Sequence, residues 1–306
     1  MTDRVARPFL YAEDVPRLQD FTAECIRAVG FRSYMHPGDV AHRIAGGLKN
    51  EVRGETVRVW EDELGIAAWV LVSPNHQGFD LQVRPDLRSS VVGGVEREAL
   101  TWAEARTVEL LTERGSAATE MIADAFEDDE VRIALLEDTG WQRGTEPYVI
   151  TLRSLDVIPE EAAVGYTVRA VKGPEEADAV GELHAASFGS SWLPGQYARY
   201  MSAPGYAPER ELVATSAAGD LCGFTVTWHD HVNGIGLFEP VGVHPDHRRK
   251  GLGRLLLAEG MHRMRAAGLT HGMVAYEGSN PASGALYRGI GFAPTWTMWD
   301  YTKPIG

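Results

Sequence analysis

The sequence has few cysteines, no long apolar run and no metal-ligand spacing. Its 306 residues include two cysteines, Cys25 and Cys222, which lie far apart in the chain. We expect both to be reduced packing residues, because sparse and distant cysteines are typical of cytoplasmic proteins. No apolar stretch approaches the roughly 18 residues that span a membrane. The acidic start of the chain is also unlike a secretory signal. The sequence therefore predicts a cytoplasmic protein without a metal.

Positive charge is also scarce. The chain has 29 Lys and Arg against 43 Asp and Glu, which gives a net charge of −14 at pH 7. This balance argues against nucleic acid or an anionic membrane as a partner, because both are bound through cations that neutralise phosphates. It suits a cationic substrate such as an amine, although solubility is the simplest account of the excess as a whole. The length predicts about two globular domains.

The most informative stretch is a strand-like run that leads into a basic turn and then a helix. It contains Val241-Gly242-Val243 and, a little further on, Arg248-Arg249-Lys250-Gly251-Leu252-Gly253-Arg254. Glycines at a helix start let backbone N–H groups reach an anion, and the helix dipole attracts negative charge. The spacing fits neither the dinucleotide fingerprint nor the nucleoside triphosphate loop. We expect the turn to hold the phosphates of another polyanionic cofactor.

A second segment follows about 30 residues downstream. It reads Asn280-Pro281-Ala282-Ser283-Gly284-Ala285-Leu286-Tyr287-Arg288-Gly289-Ile290-Gly291-Phe292. Together, Arg248-x-x-Gly251-x-Gly253 after a Val-x-Val strand and this Asn…Ala-Leu-Tyr…Gly-Phe segment resemble the GNAT superfamily of N-acetyltransferases. The resemblance covers residues 165–303. It implies that the chain binds acetyl-CoA as acyl donor and uses no metal.

The chain contains the same order of elements twice. Val83-Arg84-Pro85-Asp86 matches Val243-His244-Pro245-Asp246 at an offset of 160, and Ala134-Leu135-Leu136 matches Ala285-Leu286-Tyr287. With the resemblance, the repeat predicts an α/β (α+β) fold of two tandem GNAT-like domains. Each is expected to have a mixed, mostly antiparallel central sheet flanked by helices. We predict a degenerate domain over residues 1–155 and a catalytic domain over residues 164–306.

The first copy departs from the motif at the positions that matter for chemistry. The replacements are Val91 for Gly251, Ser89 and Ser90 for Arg249 and Lys250, and Leu136 for Tyr287. A side chain at Val91 would project where a pyrophosphate should approach. We therefore expect the first copy to keep the fold without the chemistry.

The resemblance also implies roles for single residues. In the family, a splayed strand exposes backbone groups to the pantetheine and acetyl groups, and here that strand matches Val241, Gly242 and Val243. Tyr287 matches the position that protonates the departing thiolate. A phenol with a pKa of about 10 can donate to a thiolate whose conjugate acid has a pKa of about 8.5. The other residues expected to bind acetyl-CoA are Arg248, Arg249, Lys250, Gly251, Leu252, Gly253, Arg254 and Asn280. Asn280 serves equally well as a helix cap.

The sequence leaves the general base open. Glu239 is the first candidate, because it precedes Val241 in an apolar run and burial raises the pKa of a carboxyl group. An ion-paired or solvent-facing strand Glu is the alternative. His229 and Asp230 are second candidates. For substrate binding we predict Trp192, Tyr197 and His229, since aromatic faces suit a cationic amine, with burial against the neighbouring domain as the alternative.

These inferences predict an enzyme that transfers an acetyl group from acetyl-CoA to a primary amine of a small molecule. The expected mechanism is direct attack in a ternary complex, with Tyr287 and Glu239 as catalytic residues. Two alternatives stay open. One is an acyl-CoA sensor without turnover, and the other is an acetyltransferase for protein Lys or N-terminal amines. The sequence fixes neither the acceptor, nor the acyl length, nor whether the chain forms a homodimer.

Overall fold

A computed structural model describes residues 4–30, 32–47, 53–88 and 94–305. Within these ranges the chain forms one mixed, twelve-stranded sheet with helices packed on it. The strands are β1 Val5–Pro8, β2 Val57–Asp62, β3 Gly65–Ser73, β4 Gly78–Val83, β5 Glu120–Phe126, β6 Gln142–Ser154, β7 Tyr166–Ala170, β8 Glu211–Ser216, β9 Leu221–Asp230, β10 Ile235–Val243, β11 His271–Glu277 and β12 Ala293–Pro304. The α-helices are α1 Tyr11–Val29, α2 Pro37–His42, α3 Arg53–Thr56, α4 Val95–Glu113, α5 Glu130–Asp138, α6 Ala177–Phe188, α7 Gln196–Tyr200, α8 Leu252–Ala266 and α9 Pro281–Gly289. A π-helical turn, Arg43–Gly47, continues α2.

The two halves of the chain repeat one strand arrangement and are joined in the middle of the sheet. The strand order is β1-β2-β3-β4-β5-β12-β6-β11-β10-β9-β8-β7. Within each half neighbouring strands are antiparallel except for one parallel pair, β4 with β5 and β10 with β11. The last strand of each half pairs within the other half, because β6 lies beside β11 and β12 lies beside β5. The predicted fold class is confirmed, while the limits 1–155 and 164–306 stay a prediction.

From the sequence we predict a strand over Tyr166–Ala170 and a helix over Leu252–Ala267. Strand β7 has the predicted bounds, and α8 ends one residue earlier than predicted. We also predict a long helix over Val92–Arg114, and the structure describes α4 from Val95 to Glu113. The replacements at Ser89, Ser90 and Val91 lie outside the described residues. Cys25 and Cys222 are both buried thiols without a disulfide.

The halves share buried side chains as well as strands. Ile26 and Phe126 from the first half belong to the same apolar cluster as Trp228 from the second. Helix α2 comes very close to Trp228, since a Cβ added to Gly38 would lie 2.2 Å from the Trp228 Cβ. A glycine is therefore required where α2 crosses β9. This contact brings the end of α2, at His42, to the second half.

Neither a membrane-spanning helix nor a metal-binding cluster is found in the described residues. Within these ranges no helix is both long and apolar enough to cross a membrane. Over the same part of the chain, no group of three or more His, Cys, Asp or Glu side chains is arranged to hold a metal ion.

Candidate active site

Strand β10 provides an open backbone edge, because its pairing with β11 stops early. Only its first three residues, from Ile235, pair with β11, and its pairing with β9 is irregular between Phe238 and Val241. The remaining edge of β10 faces a wedge between the two strands, where a ligand can pair with main-chain groups. The predicted contacts Val241, Gly242 and Val243 all lie on this segment. Gly242 also packs closely, since an added Cβ would lie 2.4 Å from the Phe224 ring.

The turn after β10 has the backbone of an anion site. Arg249 and Gly251 are both left-handed, with φ angles of 61° and 86°. Left-handed residues in such turns direct N–H groups into a concave nest that suits anions. Gly251 is also the N-cap of α8, whose first N–H groups lack intrahelical partners. A Cβ added to Gly251 would have no atom nearer than 3.8 Å, so the backbone at this position is accessible. The turn fits the phosphates of acyl-CoA.

The basic side chains around the turn divide into two groups. Arg249 and Lys250 are exposed. Arg248 instead braces the turn, because it donates to the Ser187 carbonyl at 2.9 Å. Arg254 pairs with the carboxylate of Glu161 through Nε at 3.0 Å and also donates to a backbone carbonyl of α9. Arg249 and Lys250 are thus the side chains best placed to meet a phosphate.

Leu252 and Gly253 have packing roles at the start of α8. Leu252 is fully buried in a cluster that includes Leu256. A Cβ added to Gly253 would lie 3.0 Å from the Leu286 side chain. Gly253 therefore lets α8 approach α9, and this places the helix that carries Tyr287 beside the anion turn.

Glu239 lies on the open segment of β10 with its side chain 30% exposed. Its Oε1 is 3.6 Å from Nε2 of His42, and His42 Nδ1 is 3.1 Å from the Tyr200 hydroxyl. Desolvation and the carboxylate of Asp39 together raise the pKa of Glu239 to about 7, against the opposing effect of Arg43. A carboxylate of this pKa can accept a proton at neutral pH.

Tyr287 and Asn280 both lie on or beside α9. The Tyr287 side chain is 6% exposed and packs against the rings of Tyr276 and Phe292. Burial raises the pKa of Tyr287 and the Glu239 carboxylate raises it further, while a hydrogen bond with Ser283 lowers it. The Tyr287 phenol is therefore protonated, and the charge of Glu239 contributes to the rise in its pKa. Asn280 caps α9, because its Oδ1 accepts a hydrogen bond from the Ser283 N–H at 3.1 Å.

The three side chains predicted to contact the substrate do not line the cavity that has Glu239 in its wall. The rings of Trp192 and Tyr197 make an edge-to-face contact with their centroids 4.7 Å apart, and the buried Tyr197 hydroxyl donates to Glu211 at 2.5 Å. Burial lowers the pKa of His229 to about 3, so its imidazole is neutral. Asp230, the other second candidate for the base, accepts hydrogen bonds from the turn after β9. These side chains have structural partners and are absent from the cavity wall beside Glu239.

A cavity of about 720 Å³ lies between the halves and has Glu239 in its wall. The first half contributes His42, Asp124 and Tyr148, and the second half contributes Glu277 and Asp300. Apart from Glu239, none of these residues is predicted from the sequence. They lie far apart in the chain and meet through the exchange of β6 and β12, which no local pattern announces. The cavity volume is in the range of small-molecule sites, about 300–1,000 Å³.

In the first half, an ion-pair network fills the region that matches the open wedge. The Arg132 guanidinium donates to Glu96 at 2.7 Å and to the Leu81 carbonyl at 3.2 Å. Leu81 matches Val241 at the offset of 160. Arg88 donates to the same Glu96 at 2.9 Å and to Asp129 at 2.8 Å. Arg132 thus binds the Leu81 carbonyl, whereas the matching main chain at Val241 is expected to face acyl-CoA.

The second half is similar in sequence to a known family of enzymes. Residues 177–292 match the acetyltransferase (GNAT) family. This part of the chain is a GNAT acetyltransferase domain. The mycothiol acetyltransferase of Nocardioides sp. is 29% identical over 197 residues, which cover 58% of this chain and 67% of that protein. The mycothiol acetyltransferase of Saccharopolyspora erythraea is 29% identical over 229 residues, or 67% of this chain and 71% of that protein.

A solved GNAT structure shares the whole arrangement of the two halves. A tandem GNAT protein from the clavulanic acid biosynthesis pathway aligns with a TM-score of 0.65 at 19% identity, over 99% of this chain and 99% of that chain. At this identity the likeness shows the fold. The GNAT domain and the relatives confirm the predicted resemblance to N-acetyltransferases and the predicted class of enzyme, an acyltransferase. The solved structure confirms the predicted tandem fold.

Proposed function

We propose that this GNAT protein transfers an acetyl group from acetyl-CoA to a primary amine of a small molecule, by direct attack in a ternary complex. The observation that carries the proposal is the position of Glu239. It lies on the open segment of β10, next to the anion turn, and also in the wall of the cavity. A base at this junction can take a proton from an amine in the cavity while the acyl group lies along the strand. The similarity to mycothiol acetyltransferases supports acetyl transfer as the reaction.

Each step has a residue suited to it. Acetyl-CoA, when bound, supplies the acetyl thioester. The nest formed by Arg249 and Gly251 would hold its phosphates together with Lys250, and the main chain of Val241 and Val243 would orient its extended arm. Glu239 accepts the proton of the attacking amine. Tyr287 stays protonated because burial raises its pKa, so it can donate to the departing thiolate.

The first test is calorimetric titration of acetyl-CoA into the full chain. We expect one site per chain, because the wedge of the first half is filled by Arg132. Gly251→Ala should weaken binding at least about 10-fold by placing a methyl group in the nest. Gly268→Ala is the matched control, since Gly268 has nearly the same φ, 85°, at the opposite end of α8. Equal affinities for the two variants, or two sites per chain, would contradict the proposed site.

Two rival functions give different outcomes. An acyl-CoA sensor would bind acetyl-CoA and release no free thiol when amines are added. A protein acetyltransferase would prefer peptide amines over small ones. The cavity favours a small acceptor, because both halves enclose it and Glu239 lies in its wall. A thiol-release assay with a panel of small amines and a Lys-containing peptide separates the three functions.

A further inference from the structure

The cavity between the halves carries an excess of negative charge. The carboxylates in its wall are those of Asp80, Asp124, Glu146, Glu239, Glu277 and Asp300. The wall also has two guanidinium groups, but both are already paired. Arg43 binds Asp80 at 2.5 Å, and Arg132 binds Glu96 at 2.7 Å. Most of the cavity carboxylates are therefore not neutralised by these cations.

Two of these carboxylates lie directly opposite each other. Asp124 on β5 and Asp300 on β12 are register partners in the antiparallel ladder that joins the halves. Like charges at such positions repel and destabilise a sheet. Among the ion pairs of the described residues, none includes Asp124 or Asp300. Asp300 accepts a hydrogen bond from the Glu146 N–H at 2.9 Å, which leaves its charge in place.

The surroundings of Asp124 increase this repulsion. Desolvation and the carboxylates of Asp80 and Asp300 together raise the pKa of Asp124 to about 6, against the opposing effect of Arg43 and Arg132. Among the described residues, the half-buried Asp124 side chain has neither a hydrogen bond nor an ion pair. Facing carboxylates without an ion-pair partner repel each other, so a carboxylate pair kept in the wall of a cavity indicates that a cation binds there.

We propose that the acceptor carries at least two amino groups: one is presented to Glu239, and a second is held as an ammonium ion by Asp124 and Asp300. This inference rests on the proposed acetyl transfer. In the reaction, a bond forms between the first amine nitrogen and the acetyl carbon, and the carbon–sulfur bond of the thioester breaks. Glu239 takes the amine proton, and Tyr287 gives a proton to the thiolate. The second ammonium ion takes no part in the chemistry.

The first half has a function in this arrangement. Asp124 and Asp80 come from the copy that lacks the acyl-CoA motif, and β5 meets β12 only because the last strands are exchanged. The first half thus forms one side of the acceptor site, while the second half holds the donor. Acceptors with a single amine leave Asp124 and Asp300 unpaired.

The test compares diaminobutane with butylamine in the full chain at saturating acetyl-CoA. We expect kcat/KM to be about 10- to 100-fold higher for the diamine, which is the size expected for one charged hydrogen bond. Asp124→Asn and Asp300→Asn should each reduce this ratio several-fold, mainly through KM for the diamine. Asp128→Asn is the control, because Asp128 is an exposed carboxylate paired with Arg32 outside the cavity. Spermidine and a diamino sugar, added as further acceptors, distinguish linear from cyclic polyamines.

The outcomes separate this inference from the proposed function. Equal kcat/KM for diamine and monoamine, or an unchanged ratio in both Asn variants, overturns the inference and leaves acetyl transfer standing. The inference is also overturned if the chain binds acetyl-CoA but neither binds nor acetylates any di- or polyamine. Absence of acetyl-CoA binding in the calorimetric titration overturns the proposed function itself.

Discussion

The two halves of this protein share one fold and differ in what lies inside the wedge between their parallel strands. In the second half the wedge beside β10 is open, and Glu239 and Tyr287 lie next to it. In the first half the matching space holds Arg132, which donates to the Leu81 carbonyl. The arginine that follows the Pro-Asp turn also differs between the copies. Arg248 is exposed, whereas Arg88 turns inward to the buried Glu96.

This difference shows how a duplicated fold can lose one site and still contribute to another. Matched positions at the start of α5 and α9 are Asp129 and Asn280, both helix caps. Three residues further on, the first half has Arg132 where the second has Ser283. The exchange of a small hydroxyl for a guanidinium closes the wedge with an ion pair. The same half also supplies His42 and Asp124 to the cavity between the halves.

The largest expected effect comes from the base, which lies in the irregular part of β10 between Phe238 and Val241; the pairing of the matching strand β4 with β3 has no such irregularity. Glu239→Gln should lower kcat by about 1,000-fold or more, within the range of positioned general bases. The wild-type rate should rise with pH through about 7, because only the ionised carboxylate accepts a proton and burial places its pKa there. The variant should lack this rise and keep its affinity for acetyl-CoA. A wild-type rate that is flat from pH 6 to 8 would assign the base elsewhere.

The next effect tests the network that fills the first half. Glu96→Gln removes the shared partner of Arg132 and Arg88, and the Arg132 side chain is only 4% exposed. Breaking a buried pair costs about 3–5 kcal/mol, so we expect a loss of this size in the free energy of unfolding, measured with denaturant. Glu109→Gln on the same helix is the control. Its surface pair with Arg106 contributes about 1 kcal/mol or less. Similar losses for both variants would mean that the network does not stabilise the first half.

The site was predictable from the sequence where it consists of local segments. The strand of Val241–Val243, the basic turn and α8 follow one another in the chain, so their residue types and spacing define the anion site. Tyr287 was predictable for the same reason, because it lies in a second contiguous segment. The substrate contact of Tyr197 stays a prediction, and an aromatic run in a sequence does not show which ring has a buried partner such as Glu211.

The cavity was not predictable, because long-range packing creates it. His42 reaches Glu239 only because Gly38 allows α2 to cross Trp228. Asp124 faces Asp300 only through the pairing of β5 with β12. Neither contact has a local signal. The charged residues Glu96 and Arg132, on helices whose other buried side chains are mostly apolar, are a usable signal of an internal ion pair.

A smaller effect concerns the proton donor, for which the first half has Leu136. Tyr287→Phe keeps the ring that packs against Tyr276 and Phe292 and removes only the hydroxyl. We expect kcat to fall about 100-fold, at the low end for a positioned acid, since a thiolate is a good leaving group. The affinity for acetyl-CoA should not change in calorimetry. Full turnover in the variant would rule out the acid role, whereas a loss of affinity would indicate a binding role.

The smallest effect concerns the charge that the first half contributes to the cavity. The pKa of Asp124 is about 6 in the folded chain and about 4 when unfolded, so the folded state binds its proton more tightly. The ionised group therefore destabilises the fold increasingly between pH 4 and 6, and fully above that window. Asp124→Asn should raise the free energy of unfolding at pH 7 by about 1–2 kcal/mol. The increase should be absent near pH 4, where the wild-type carboxyl is protonated in both states. Asp128→Asn should change it by less than about 0.5 kcal/mol at both pH values, as is usual for exposed sites. A destabilised Asp124→Asn at pH 7 would mean that the carboxylate has a cationic partner within the chain, and the cavity would then need no cation from a ligand.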